Sequence, residues 1–229
     1  MNPVLLSPDQ ISVFGFLKEN ILCDERVLWV GGTCLSVQHL EHRKSEDFDI
    51  FVQDANHVVP LARDLLKTVG STWPVAEKFV LRGAATFFIK GVKIQIVSDE
   101  SIQPDWVLTA ADGVRFASLP ALALMKWRAI ASRGDMKDLY DLYSMDQHVH
   151  LAEAAKAAEN MNTNASTMAW GLNDAMFSCK ASIEAPAWHI DPAGWHGDIQ
   201  RMELFVKHWL CHFIGRDFYR LDGPGTRER

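Results

Sequence analysis

Two aspartates one residue apart, Asp47 and Asp49, open a short apolar run, DFDIFV (47–52). Carboxylates are poor strand formers and costly to bury, so something has to hold their charge. Side chains at i and i+2 of a strand point the same way, which puts both carboxylates on one face and turns Phe48 and Ile50 into the core. Side by side they repel unless a cation sits between them. A hard divalent ion such as Mg²⁺, which takes oxygen ligands and bridges carboxylates to phosphates, meets that need. Upstream, the apolar run RVLWV ends in Gly31-Gly32-Thr33. A glycine pair at a strand-to-helix turn lets a ligand approach the backbone, and the free N–H groups of the following helix form an anion site. The Thr33 hydroxyl adds one more donor. A phosphate cradle beside a metal-binding carboxylate pair equips a protein for phosphoryl or nucleotidyl transfer. Gly-Gly-Thr alone is a weak signal, and Asp-x-Asp alone is most often a strand entry; their order, each with a predicted strand, joins them.

Elements must position these residues. PDQISVFGFLKEN (8–20) has helical spacing at Ile11, Phe14 and Leu17, RVLWVGG is a buried strand, and TCLSVQHL starts a helix with Thr33 as a candidate N-cap. VVPLARDLLKTVG (58–70) is a helix with a glycine stop. ATFFIKGVKIQIV (85–97) is a hairpin joined at Lys90-Gly91. From Leu119 helical signals dominate: LPALALMKWRAIASRGDMKDLYDLYSM gives two helices separated at Arg133-Gly134, LAEAAKAAENM is a third, and a face from Ile199 to Phe213 marks a long amphipathic helix. The expected architecture is α/β (α+β), with residues 1–115 as a mixed-sheet core and 116–229 as a helical domain that completes the active-site cleft. GPGTRER reads as a frayed tail.

Composition bounds the setting. The chain has 229 residues, 48% hydrophobic and 23% charged, with a net charge of −6. It carries no apolar run long enough to span a bilayer and no secretory leader, so the expected location is cytoplasmic, with no membrane partner. Cys23, Cys34, Cys179 and Cys211 form no disulfide-like or metal-like spacing. The acidic balance excludes a generic polyanion coat, though it leaves room for a local basic cleft.

The stretch VGGTCLSVQHLEHRKSEDFDIFV resembles the signature of the DNA polymerase beta-like nucleotidyltransferases. With His-Arg-x-Ser before the aspartates, it resembles the AbiEii/AbiGii toxin family in particular. The second match is the helical segment with Lys126, Arg133, Lys137, Asp138 and Asp141; the two motifs cover most of residues 29–145. The resemblance implies a nucleotidyltransferase core in which Gly31, Gly32 and Thr33 hold nucleotide phosphates and Asp47 and Asp49 bind Mg²⁺, with a two-ion site admitted. It implies that Lys126 neutralises the triphosphate, and that Asp138, near Arg133, completes the site or locks the helix carrying Lys126. The implied reaction is attack of an acceptor hydroxyl on the α-phosphate of an NTP. The implied partners are tRNA or another RNA acceptor and a cognate antitoxin. The wider superfamily often has a third carboxylate on a later strand; the candidate position here is Gln95, which cannot accept a proton. Hence two alternatives: a small-molecule nucleotidyltransferase acting on, for example, an aminoglycoside, and a nucleotide-binding relative of weak catalysis.

Other residues carry two readings each. Arg43 meets substrate phosphate or is a solvated loop charge. Ser45 orients an aspartate or starts a turn. Asp138 and Asp141 belong to the site, Asp141 less firmly, or to a surface salt-bridge network. His208, Cys211 and His212 have zinc-compatible spacing but no further ligands, so a place beside the apolar stripe is favoured. Trp170, Trp188, Trp195 and Trp209 fill a core in preference to stacking on a base. The loop HIDPAGWHGD (189–198) is a lid or an ordinary connection.

Overall fold

The computed structural model describes residues 5–70 and 72–221, with 216–221 and Glu77 as backbone only. The segment GPGTRER lies outside the described residues. The chain divides into two compact units: Met1–Leu122 with Ala187–Ile190, and Ala123–Pro186 with Asp191–Arg229.

In the first unit, helix α1 (Pro8–Leu17) starts at a reciprocal cap, Ser7 Oγ accepting from the Gln10 N–H and Gln10 Oε1 from the Ser7 N–H, and continues through a π-helical turn to Leu22. Strand β1 (Val27–Val30) is buried along its whole length and runs directly into helix α2 (Gly31–Cys34), prolonged as a π-helix to Leu40. Then follow β2 (Phe48–Val52), α3 (Val58–Val69), β3 (Val75–Leu81), β4 (Ala84–Ile89), β5 (Val92–Ser98), β6 (Val107–Thr109) and β7 (Arg115–Ala117). The seven strands form one mixed sheet in the order β3-β4-β5-β2-β1-β7-β6. β2 pairs parallel with β5, and β1 parallel with β7. The turn joining β4 and β5 holds Lys90 and Gly91 both at positive φ, the geometry that matches the twist of a two-residue hairpin. Under the sheet, Phe14, Trp29 and Phe48 pack ring on ring, with centroids 4.9 to 6.1 Å apart.

Two differences from the sequence reading concern boundaries. The sheet includes β6 and β7, so residue 115 falls at the start of a strand and the division lies inside helix α4 (Leu119–Arg133), after Leu122. Three-residue strands are too short to carry a period, which is why the sequence reading assigned no strand to that stretch. The loop read as beginning at His189 also returns to the first unit: the Lys44 N–H donates to the Trp188 carbonyl at 2.8 Å, and His189 bridges Arg43.

The second unit holds the rest of α4 and helices α5 (Met136–Met145), α6 (Leu151–Asn160), α7 (Ala165–Ala181) and α8 (Trp195–Leu221). Gly134, at φ +56°, turns α4 into α5, whose first turn is capped by the Asp135 carboxylate. A Cβ at Gly171 would collide with the Ile130 carbonyl, so α7 crosses α4 at backbone contact. The core is aromatic: Trp127 packs against Trp209 with the rings tilted by 60° (4.7 Å) and meets Phe213 edge-on (5.5 Å), and its indole N–H donates to the Leu151 carbonyl. Trp195 and Trp209 are buried here and Trp188 in the first unit, whereas Trp170 is 70% exposed.

Candidate active site

The backbone brings the glycine turn and the aspartates together. β1 and β2 are antiparallel neighbours with Val30 opposite Asp49, so the chain leaves β1 into Gly31 beside the Asp49 carboxylate. Gly31 stands at φ +80°, and a Cβ there would run into Asp49 Oδ2 and Cβ. This position therefore needs glycine twice over, for its dihedral and for the space. At Gly32 a Cβ would meet the Arg43 guanidinium and come within 3.1 Å of Ser45 Oγ.

Asp47 and Asp49 are half-exposed on one face, while Phe48 and Ile50 between and beyond them are wholly buried. Beside them on β5, Gln95 is in register with Asp49, and Lys93 extends its ammonium to Asp47 Oδ2 at 2.9 Å. Gln95 in turn donates through Nε2 to the hydroxyl of Thr86 on β4 (3.3 Å). The polar face thus reads as two rows, Asp47–Lys93 and Asp49–Gln95–Thr86. Lys93 was missed by the sequence reading. Its signal was the two-residue spacing from Gln95, which puts both on one face of the strand.

Thr33 is not the N-cap; α2 begins at Gly31, with Val30 at the cap position. Thr33 is fully buried, and its hydroxyl donates to the backbone carbonyl of Asp47. It ties the start of α2 to the entry of β2 instead of facing a phosphate. Arg43 is 2% exposed, neither a solvated loop charge nor a group at the surface; one guanidinium nitrogen donates to the Lys44 carbonyl and another lies behind Gly32. Ser45 is buried beside the same glycine, and its carbonyl accepts from Gln10 Nε2 at 2.6 Å. Its hydroxyl bonds neither aspartate and has no hydrogen-bond partner among the described residues. Beneath the turn, burial pushes the Cys34 thiol up and keeps it neutral. A groove of about 580 Å³ lined by Arg26, Gln53, His57 and Arg115 lies at the other ends of β1 and β2; no residue of the glycine turn or the aspartate pair lines it.

In the second unit the other motif forms an ionic cluster around two buried carboxylates. Lys126 Nζ reaches Asp138 Oδ1 at 2.7 Å and Asp141 Oδ2 at 2.6 Å. Arg133 adds two hydrogen bonds to Asp138, at 2.7 and 3.0 Å. Both carboxylates are 0% exposed, which excludes a surface network. Burial pushes the Asp138 carboxyl up, but the Lys126 ammonium and the Arg133 guanidinium outweigh it and hold the group below the usual carboxylate range. α4 and α5 are locked to each other through these charges. His208 and His212 pack their rings on Trp209, and no metal-binding cluster of three or more ligands involves them among the described residues.

The donor set can be tested against a metal. The two carboxylates offer hard oxygen atoms at the glycine turn, and among the described residues no third His, Cys, Asp or Glu joins them. This fits an ion that takes its remaining ligands from phosphate and water, as Mg²⁺ does.

A mixed sheet carrying a helix start on paired glycines, with two carboxylates on the neighbouring strand, defines a nucleotidyltransferase. The chain belongs to the AbiEii family, whose model, described as "Nucleotidyl transferase AbiEii toxin, Type IV TA system", matches residues 21–209. Among solved structures it is similar to a candidate nucleotidyltransferase from H. pylori, with a TM-score of 0.60 at 14% identity over 92% of this chain and 98% of that one. It is also similar to JHP933 from Helicobacter pylori, with a TM-score of 0.58 at 15% identity over 92% and 94%. No curated protein sequence matches the chain. Among the described residues no helix is long and apolar enough to cross a membrane.

Proposed function

We propose that this nucleotidyltransferase moves an NMP from an NTP to a hydroxyl of an RNA acceptor, tRNA first among them, as the Mg²⁺-dependent toxin of a cytoplasmic toxin–antitoxin pair. The observation that carries this reading is the register of Val30 with Asp49, which sets the backbone of Gly31 against a carboxylate. Anion-binding N–H groups and metal-binding oxygens then lie side by side, as a metal-bound triphosphate requires.

In this reading the acceptor oxygen bonds to the α-phosphorus, the bond from that phosphorus to the bridging oxygen breaks, and pyrophosphate leaves with the electron pair. The acceptor proton passes to water, because the amide of Gln95 cannot take it. Bound Mg²⁺ would be held by Asp47 and Asp49 and would supply positive charge to the phosphate oxygens. Gly31 and Gly32 open the backbone to the phosphates, and the unfilled Ser45 hydroxyl donates to them. Thr33 and Arg43 position the turn. Within the helical unit the Lys126 ammonium is fixed by Asp138 and Asp141, and Arg133 holds Asp138 in turn.

The test is incubation of the protein with α-labelled NTPs, Mg²⁺ and total RNA. Label is expected on tRNA, and Asp49→Asn should lower transfer by on the order of 10³-fold with its melting curve intact. Label on an aminoglycoside and not on RNA would favour the small-molecule reading. Nucleotide binding with no transfer at all would leave a non-catalytic relative.

A further inference from the structure

The polar face of the sheet carries a charge pattern that limits how many metal ions it can hold. Asp47 stands level with Lys93, whose ammonium is 2.9 Å from its Oδ2, and Asp49 stands level with Gln95. The Gln95 amide is tied by its nitrogen to Thr86, which is itself 2% exposed. The face therefore offers two carboxylates, with a lysine ion-paired to Asp47 and a neutral amide level with Asp49 where a third anion could have stood. Two divalent ions a few ångströms apart repel strongly and need several shared anionic ligands to coexist. One divalent ion needs only one or two carboxylates beside phosphate oxygens and water.

We propose that this site holds a single divalent ion, delivered with the nucleotide, and that the Lys93 ammonium takes the electrostatic place of a second one. Lys93 is then a positioning residue. It keeps Asp47 oriented along the face, and it sets the affinity of the carboxylate pair for the ion by placing a positive charge beside it. The inference rests on the nucleotidyl-transfer reading, from which it takes the ion and the triphosphate.

Ion counting tests it without turnover. The full chain is dialysed to equilibrium against Mn²⁺ and an α,β-methylene NTP analogue, and bound Mn²⁺ is read from the loss of the free-ion EPR signal. One Mn²⁺ per chain is expected. Two per chain would overturn the proposal and leave the transferase reading standing. None, with or without the analogue, would overturn both.

The role of Lys93 has its own readout. Lys93→Met removes the ammonium and should tighten Mn²⁺ binding to the nucleotide-free protein by about tenfold, because a like charge has left the site. Lys93→Arg should bind Mn²⁺ as the native chain does. Thermal melting of all three proteins controls for folding. If Lys93→Met melts earlier while its Mn²⁺ affinity is unchanged, Lys93 is structural only and the assignment fails. Weaker Mn²⁺ binding in a folded Lys93→Met would also overturn it, showing that the lysine orients Asp47 without opposing the ion.

Discussion

The chain uses paired aspartates twice, in opposite ways. On the sheet, Asp47 and Asp49 are half-exposed, and Lys93, which pairs with Asp47, is itself nearly a third exposed. In the helical unit, Asp138 and Asp141 are wholly buried against a buried lysine. Burial separates the two roles. A carboxylate that must exchange water for a metal ion and phosphate has to stay open to solvent. One that holds two helices together is desolvated, and it remains charged only because its partners are fixed within hydrogen-bond distance. Both pairs belong to motifs that resemble one family, yet only the Asp47/Asp49 pair is open to solvent.

The largest effect that would sharpen this contrast falls on the buried pair. Asp138→Ala removes the buried carboxylate that both Lys126 and Arg133 hold. Breaking a buried ion pair from one side costs about 3–5 kcal/mol. Urea denaturation should show that loss, whereas Asp49→Asn should change stability by well under 1 kcal/mol, as is usual for a half-exposed polar position. The pH dependence has a fixed sign. Because the folded state lowers the pKa of Asp138, its contribution is present above the ordinary aspartate pKa of about 3.9 and disappears as the pH falls through the lower folded value. The native chain should therefore lose stability on acidification below about pH 4, and Asp138→Ala should lose less over the same range. An equal acid loss in both proteins would break the contrast.

A smaller effect tests the open site. Gly31→Ala puts a Cβ into the Asp49 carboxylate at a backbone φ of +80°. The left-handed conformation alone costs roughly 1–2 kcal/mol in an L-residue, and the collision pushes Asp49 out of line. Stability should fall by about 2 kcal/mol, and transfer should fall further than the population of folded protein explains. Wild-type transfer in a folded Gly31→Ala protein would show that the contact between turn and carboxylate is incidental.

How much of this could be read beforehand follows from the range of the interactions. The Asp47/Asp49 face, the glycine turn, the Lys90-Gly91 hairpin and the stripe from Met202 to Phe213 are local patterns of period two or 3.6, and the sequence displays them. The alignment of Gln95 with Asp49 was open to a guess because each strand was visible, but its register depends on a parallel pairing across more than forty residues. Lys93, one strand step from Gln95, was legible in principle. Arg43 and Thr33 were not: their types suit a ligand site, and only the packing shows that one lies behind Gly32 and the other bonds the Asp47 carbonyl. The strands β6 and β7 left no period to read, so the boundary drawn at residue 115 fell short of the sheet's end.

The smallest effect separates positioning from contact within the glycine turn itself. Thr33→Val keeps the shape and removes the hydroxyl that donates to the Asp47 carbonyl. A neutral hydrogen bond contributes about 1 kcal/mol net, so stability should drop by about that amount. If Thr33 acts only by fixing the entry of β2, the loss of Asp47 alignment should lower kcat and leave the KM for the NTP within about twofold, since no phosphate contact has gone. If the hydroxyl instead meets the nucleotide during turnover, KM should rise at least as much as kcat falls. Thr33→Ser, which restores the donor, should recover kcat in the first case; a Thr33→Ser protein as slow as Thr33→Val would show that the methyl group, not the hydrogen bond, holds the turn.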